Sequence, residues 1–244
     1  MRMFNISTRF HSVAVRHFCS RRELRGDGKY WFDGIVSEQL VASSSSNTLD
    51  ENWRKWSPPV YKWHDSHFGV HVPSIIDNTE GIGGFHDLFI PSTASNLLDI
   101  GGGKSDGPKK WLEHKYPELS VYVVDPFMRT QSHNAAVQKA VETAGGADVT
   151  TSISVLNVIE DVKTRIAHCD LVFHTLKPGG IAYFKVWAGM WPMRGTGKGY
   201  YDSTRNVFQA NAWAHAYQEE VVCAFGRQNV IVDNNRNLIV AFKN

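Results

Sequence analysis

From about residue 92 to the C-terminus the sequence predicts an α/β fold: a doubly wound, mostly parallel sheet closed by a C-terminal antiparallel hairpin and preceded by an irregular N-terminal extension. Three observations predict it. Short apolar runs alternate with helix-length segments from Asn96 onward. The first run stops at Gly101-Gly102-Gly103, where a buried strand must enter a tight turn. The chain closes on two apolar runs joined by Asp233-Asn234-Asn235, residues suited to a hairpin turn.

Each element follows from local chemistry. Residues 97–100 form the first strand, 108–116 a helix, and 121–124 a second strand that ends at Asp125-Pro126. Residues 133–143, rich in Ala, Val, Gln and Lys, form a helix closed by Gly145-Gly146. A strand over 149–158 leads to a helix over 162–176, which Lys177-Pro178-Gly179-Gly180 ends. Residues 181–187 form a strand, 207–225 a long helix, and 229–232 and 238–242 the closing strands. Strand-helix alternation of this kind gives a Rossmann-like sheet with helices on both faces.

Bulk composition narrows the class. The chain has 244 residues, 42% hydrophobic and 20% charged, as in an ordinary globular protein. It holds no run near the roughly 20 apolar residues of a membrane helix, so no membrane partner is expected. A formal net charge of +2 is too small to argue for nucleic acid by itself. Cys19, Cys169 and Cys223 lie far apart with no CxxC pair, which suits a reducing compartment and supplies no zinc or disulfide framework.

Residues 1–25 form a basic tail: five arginines precede the first acid, Glu23, among serines and scattered Phe and Val. Two readings stand, a transit peptide for the mitochondrial or another organelle matrix and a disordered basic tail on a cytoplasmic protein. Residues 26–91 form an extension with a serine run at 43–46 and a dense set of Trp, His, Pro and Gly. Little period is sustained there, so short helices and loops covering the substrate side of the main domain, 92–244, are expected. Trp53, Trp56 and Trp63 are read as buried, with stacking on a planar substrate the alternative. His64, His67 and His71 with Asp65 have spacing that metal ligands adopt, but histidines in an aromatic loop more often simply hydrogen-bond.

The glycine turn is the main chemical signal. In doubly wound sheets ligands sit beyond the carboxyl ends of strands, and glycine lets the backbone approach them closely. No GK[ST] follows Gly103, which excludes a phosphate-cradling P-loop. Asp125 follows 22 residues after Gly103, at the end of the second strand, where a carboxylate accepts both ribose hydroxyls of a nucleoside. This spacing alone also fits nicotinamide enzymes.

The ordered set 98–103, Val124-Asp125-Pro126, Leu156-Asn157-Val158-Ile159 and 176–180 resembles the class I S-adenosylmethionine-dependent methyltransferases. The resemblance covers roughly residues 94–244 and implies S-adenosylmethionine as cofactor. It implies that the Gly101-Gly102-Gly103 turn packs on the cofactor's methionine part, that Asp99 supports the turn, and that Asp125, with Pro126 beside it, holds the ribose. It places Ser154, Leu156 and Asn157 toward the transferred methyl group. One departure is plain: a single helix fills the interval from Asp125 to Asp148 where the family has a third strand, so the adenine contact falls to Phe127 and Asp148 as candidates. The pattern Asp125-Pro126-Phe127, Arg129, His133-Asn134, Ala147-Asp148 and 155–159 looks like a compact subgroup of uncharacterised methyltransferases and names no acceptor.

Gly179-Gly180 through Lys185 to Gly189 is also similar to ribose 2′-O-methyltransferases, which need a Lys-Asp-Lys-Glu tetrad. Here Ser154 to Asn157 holds no aspartate and Asn235-Arg236-Asn237 no glutamate, so Lys185 is read as structural. Tyr200-Tyr201-Asp202, in a glycine-rich loop, reads as a substrate lid or a plain surface loop, and Gln209 and Asn211 as the start of the next helix. Glu160 and Asp161 look like a helix start rather than metal ligands. The expectation is a methyltransferase that works by positioning, without a metal, on a small-molecule or RNA acceptor. A catalytically inactive binding module and a nicotinamide oxidoreductase are the competing readings.

Overall fold

The structure is a computed structural model that describes residues 85, 88–103, 105–189, 191–202 and 207–244. The basic tail and residues 26–84 of the extension, with its tryptophans and candidate metal ligands, lie outside the described residues. Among the described residues six strands form one sheet: β1 (Asn96–Ile100), β2 (Ser120–Val124), β3 (Ala147–Ile153), β4 (Leu176–Lys185), β7 (Val230–Asp233) and β8 (Leu238–Phe242), in the order β2-β1-β3-β4-β8-β7. The first four are parallel, and β8 runs antiparallel to both β4 and β7. The predicted mostly parallel sheet with an antiparallel ending is therefore present. Among the described residues no strand lies between β2 and β3, and β2 is an outer strand, as the missing third strand implied.

Adjacent residues on each central strand enter opposite cores, the signature of a sheet covered on both faces. Leu98, Phe184 and Ile239 pack with helices α2 (Gln131–Thr143), α3 (Val162–Thr175) and α4 (Gln218–Phe225). Their neighbours Leu97, Tyr183 and Leu238 pack on the other face with Trp111 and Leu112 of α1 (Gly107–Lys115). Phe85, Leu88 and Ile90 are buried in that second core. These three residues of the extension thus pack on a face of the sheet.

Caps fix where the helices start. The Thr130 side chain accepts from His133 N ahead of α2, and Asp161 accepts from Thr164 N and Oγ1 ahead of α3, so Asp161 is the helix start expected of it. Arg165 in the first turn of α3 donates to the Ile159 and Glu160 carbonyls and pairs with Glu220 of α4 at 3.1 Å. Both side chains are almost wholly buried, so removing either leaves a desolvated charge. Among the described residues no helix is long and apolar enough to cross a membrane.

Three elements differ from expectation. β3 stops at Ile153 instead of 158, because Ser154 takes a φ of 59° and turns the chain out of the sheet. β4 begins directly after α3, with Pro178 and Gly179 bulging between the pairs Ala147–Leu176 and Val149–Ile181, so the Pro-Gly-Gly run lies inside the strand. The long helix over 207–225 is absent. Val207–Ala210 forms strand β6, paired with β5 (Gly199–Asp202), and helix returns only at a 3₁₀ turn over Ala214–Tyr217 and then α4. Cys169 is a buried free thiol.

Candidate functional site

β1 is followed in sequence by β2 on one side, and the chain then crosses to β3 on the other, which makes the carboxyl ends of β1 and β3 the topological switch point. The glycine turn sits there. Gly101 and Gly103 have φ of 80° and 68°, a region that side chains rarely adopt. At Gly102 space is the constraint, because a Cβ would fall against Asp99 Oδ2 and the Val123 side chain. Asp99 lies beneath the turn, 4% exposed, and accepts a 2.7 Å bond from Thr151 Oγ1. Burial pushes its carboxyl up to about 7. Of its neighbours, the Thr151 bond and the Arg129 charge pull it down, and Asp125 pushes it up.

Asp125 is buried too, and its carboxylate organises the loop around it. Oδ2 accepts from Gly103 N at 3.0 Å, and Oδ1 accepts from Phe127 N and Met128 N, both at 2.8 Å. Three backbone N–H groups thus hold the carboxylate at the end of β2. Arg129 closes the same turn from outside: Nε donates to Gly103 O at 2.7 Å and Nη2 to Asp106 Oδ1 at 2.8 Å. Asn134 holds the Asp125 backbone at both N and O. Pro126 is half-buried beside it, and the Phe127 ring is 39% exposed, an aromatic face next to the carboxylate.

At the end of β3 the predicted residues divide. Ser154 is half-buried, and its N donates to Lys185 O, so it lies at the carboxyl edge between β3 and β4. Leu156 is 1% exposed within the main core, which makes it packing rather than lining. Asn157, equally buried, is a junction: Oδ1 accepts from Trp187 N at 3.3 Å, Nδ2 donates to Gln209 Oε1 at 3.2 Å, and its carbonyl accepts from Ala210 N at 2.7 Å. The β5–β6 hairpin is thereby fastened to the end of β3. Tyr200 pairs with Gln209 across the hairpin, so it shares the face turned toward Asn157, and it is 42% exposed.

Asp148 does not join this group. It begins β3 at the opposite, amino edge of the sheet, accepts from Ser95 N, Ser95 Oγ and Asn96 N, and pairs with Lys177 at 2.9 Å. Its role is to lock the entry of β1 to β3, and the adenine contact assigned to it is withdrawn. The residues that reasoning from sequence missed are Arg129 and Asn134, quoted in the subgroup pattern without a role, and Thr151, whose hydroxyl looked like ordinary strand composition. Among the described residues no three His, Cys, Asp or Glu side chains gather as a metal site requires.

Comparison of the sequence with family models and with characterised proteins gives no match. Solved structures do match. An O-methyltransferase family protein from Burkholderia thailandensis has a TM-score of 0.50 at 12% identity, over 96% of this chain and 71% of that one. Human N-acetylserotonin methyltransferase, solved with S-adenosylmethionine, has a TM-score of 0.49 at 16% identity, over 97% and 66%. PigF with S-adenosylhomocysteine has a TM-score of 0.49 at 13% identity, over 97% and 69%. At such identity a likeness speaks for architecture, and with its sheet order and antiparallel end strands the chain has the class I S-adenosylmethionine-dependent methyltransferase fold.

Proposed function

We propose that the chain is an S-adenosylmethionine-dependent methyltransferase whose cofactor lies at the switch point, between the glycine turn and the Asp125–Phe127 loop. The carrying observation is the state of the turn's donors. A dinucleotide needs free N–H groups there for its anionic pyrophosphate. Here Gly101 N and Gly102 N both donate to Val124 O, and Gly103 N donates to Asp125. Around the turn, among the described residues, Asp106 pairs with Arg129, Asp125 is a buried carboxylate, and burial raises Asp99 to about 7. The occupied donors oppose a pyrophosphate, so the geometry suits a sulfonium cofactor better than a nicotinamide one.

The cofactor supplies an activated methyl donor, so the protein's task is to bind, align and exclude water. The three side-chain-free glycines form the cradle, Asp125 at the end of β2 holds the ribose, and Phe127 offers its ring to the adenine. Ser154 and the hairpin pinned by Asn157 form the wall where an acceptor is aligned. Ribose 2′-O transfer is a second reading, because Lys185 ends β4 at the same carboxyl edge as Ser154. Calorimetric titration with S-adenosylmethionine, S-adenosylhomocysteine and NAD⁺ tests the cofactor assignment. Saturable one-to-one binding of the first two without NAD⁺ is expected; preferential binding of NAD⁺ would refute the assignment.

A further inference from the structure

The loop that enters the hairpin has a chemistry that cofactor binding does not use. No Asp or Glu stands between Asp170 and Asp202, yet Arg194 and Lys198 fall in that interval, interleaved with Trp191, Met193 and Tyr200. All five are exposed, Trp191 to 90%, Met193 to 41% and Tyr200 to 42%. One exposed apolar residue needs no explanation; two cations flanked by aromatic rings on an acid-free loop do.

The loop is also held in shape. Gly195 N donates to Ala188 O at 2.8 Å, Gly197 N to Asn211 O at 2.9 Å, and Asn211 N to Lys198 O at 3.1 Å. A Cβ on Gly195 would collide with the Trp213 indole, so the backbone rests directly on that ring. The Arg194 guanidinium lies over the same ring, 5.0 Å from its centroid, which fixes the cation in place. Asn211 beneath the loop is 1% exposed with Nδ2 unpartnered, a cost that a casual surface loop would not sustain.

We propose that the 191–200 loop is a binding surface for single-stranded nucleic acid, with Arg194 and Lys198 meeting phosphates and Trp191 and Tyr200 stacking on bases. Every base has a π-face and every nucleotide a phosphate, so an aromatic and cationic surface binds a strand with little regard to sequence. Because the hairpin is bonded to Asn157, a strand on this loop is led to the carboxyl edge beside Ser154 and Lys185. The proposal names the acceptor class for the methyltransferase reading and rests on that reading for its purpose; strand binding itself is measured without cofactor.

The test is fluorescence anisotropy on the full chain, with a fluorescein-labelled 12-mer of oligouridylate, the matching oligodeoxythymidylate and a 12-base-pair duplex. The expected result is saturable binding of the single strands, weaker binding of the duplex, and affinity that falls as salt is raised, with a log–log slope of about −1.4 for two phosphate contacts. Trp191→Ala should weaken single-strand binding about tenfold, and Arg194→Ala/Lys198→Ala should flatten the salt slope. Thermal melting of each variant is expected to match the parent, since these side chains are exposed. Undetectable strand binding, as for a loop that serves a folded protein partner, overturns the proposal. So does equal affinity in both variants, which puts the strand elsewhere, or duplex binding as tight as single-strand binding. If strands bind while S-adenosylmethionine does not, the cofactor reading falls and the surface stands.

Discussion

Asp99 and His168 are both buried within the sheet domain, and burial moves their titrations in opposite directions. Asp99 is raised to about 7, so its contribution favours the folded state below about 3.8 and fades as pH rises to about 7. His168 on α3 meets Ser152 Oγ at 2.7 Å, and burial lowers it to about 4. A depressed histidine contributes stability that is full above about 6.5 and lost as pH falls through about 4. His168→Gln keeps an amide facing Ser152 and removes the titration. Urea unfolding across this range should show the parent losing stability relative to the variant between pH 6.5 and 4, on the order of 3 kcal/mol. A parent-minus-variant difference that stays flat with pH contradicts a buried neutral ring.

At the scale of elements, β2 shows how the sheet ends without a third strand. A bare outer strand invites pairing with another chain. Here Glu113 of α1 accepts from Val121 N at 3.1 Å, Lys109 donates to Val121 O at 2.8 Å, and His133 of α2 bonds Val123 O at 2.9 Å. Lys109 and Glu113 also pair with each other. Side chains thus occupy the edge that a neighbouring strand would use. Lys109→Ala/Glu113→Ala should uncover it, costing about 1–3 kcal/mol and raising self-association in sedimentation velocity. A variant that sediments like its parent at matched concentration argues that the edge needs no such cover. The absence of the strand was readable, because 121–124 ran almost directly into a helical segment; its replacement was not, because it depends on α1 and α2 meeting β2 in space. The β5–β6 hairpin escaped for the same reason. Val207 to Ala210 carries no period long enough to separate strand from helix, and the bond from Ala210 N to Asn157 O decides it.

Over the whole molecule, the architecture follows from patterns local to each segment: two-sided strands such as Leu97-Leu98 and Tyr183-Phe184, the glycine stop, and the closing turn. The site is a product of crossings between segments, and sequence conveyed it only in part. Gly103 and Asp125 meet, because strand order alone brings the ends of β1 and β2 together. Asp148 misled because a position in the family pattern says nothing of which end of the strand it occupies. Asp125 is held by three backbone N–H groups, which no spacing announces. The central claim, that a cofactor lies between the glycine turn and the Asp125 loop, is tested most directly by hydrogen–deuterium exchange with and without saturating S-adenosylhomocysteine. Slowed exchange is expected, confined mainly to peptides covering 100–106, 125–131 and 153–158. Unchanged exchange in all three, or protection confined to other segments, would contradict it.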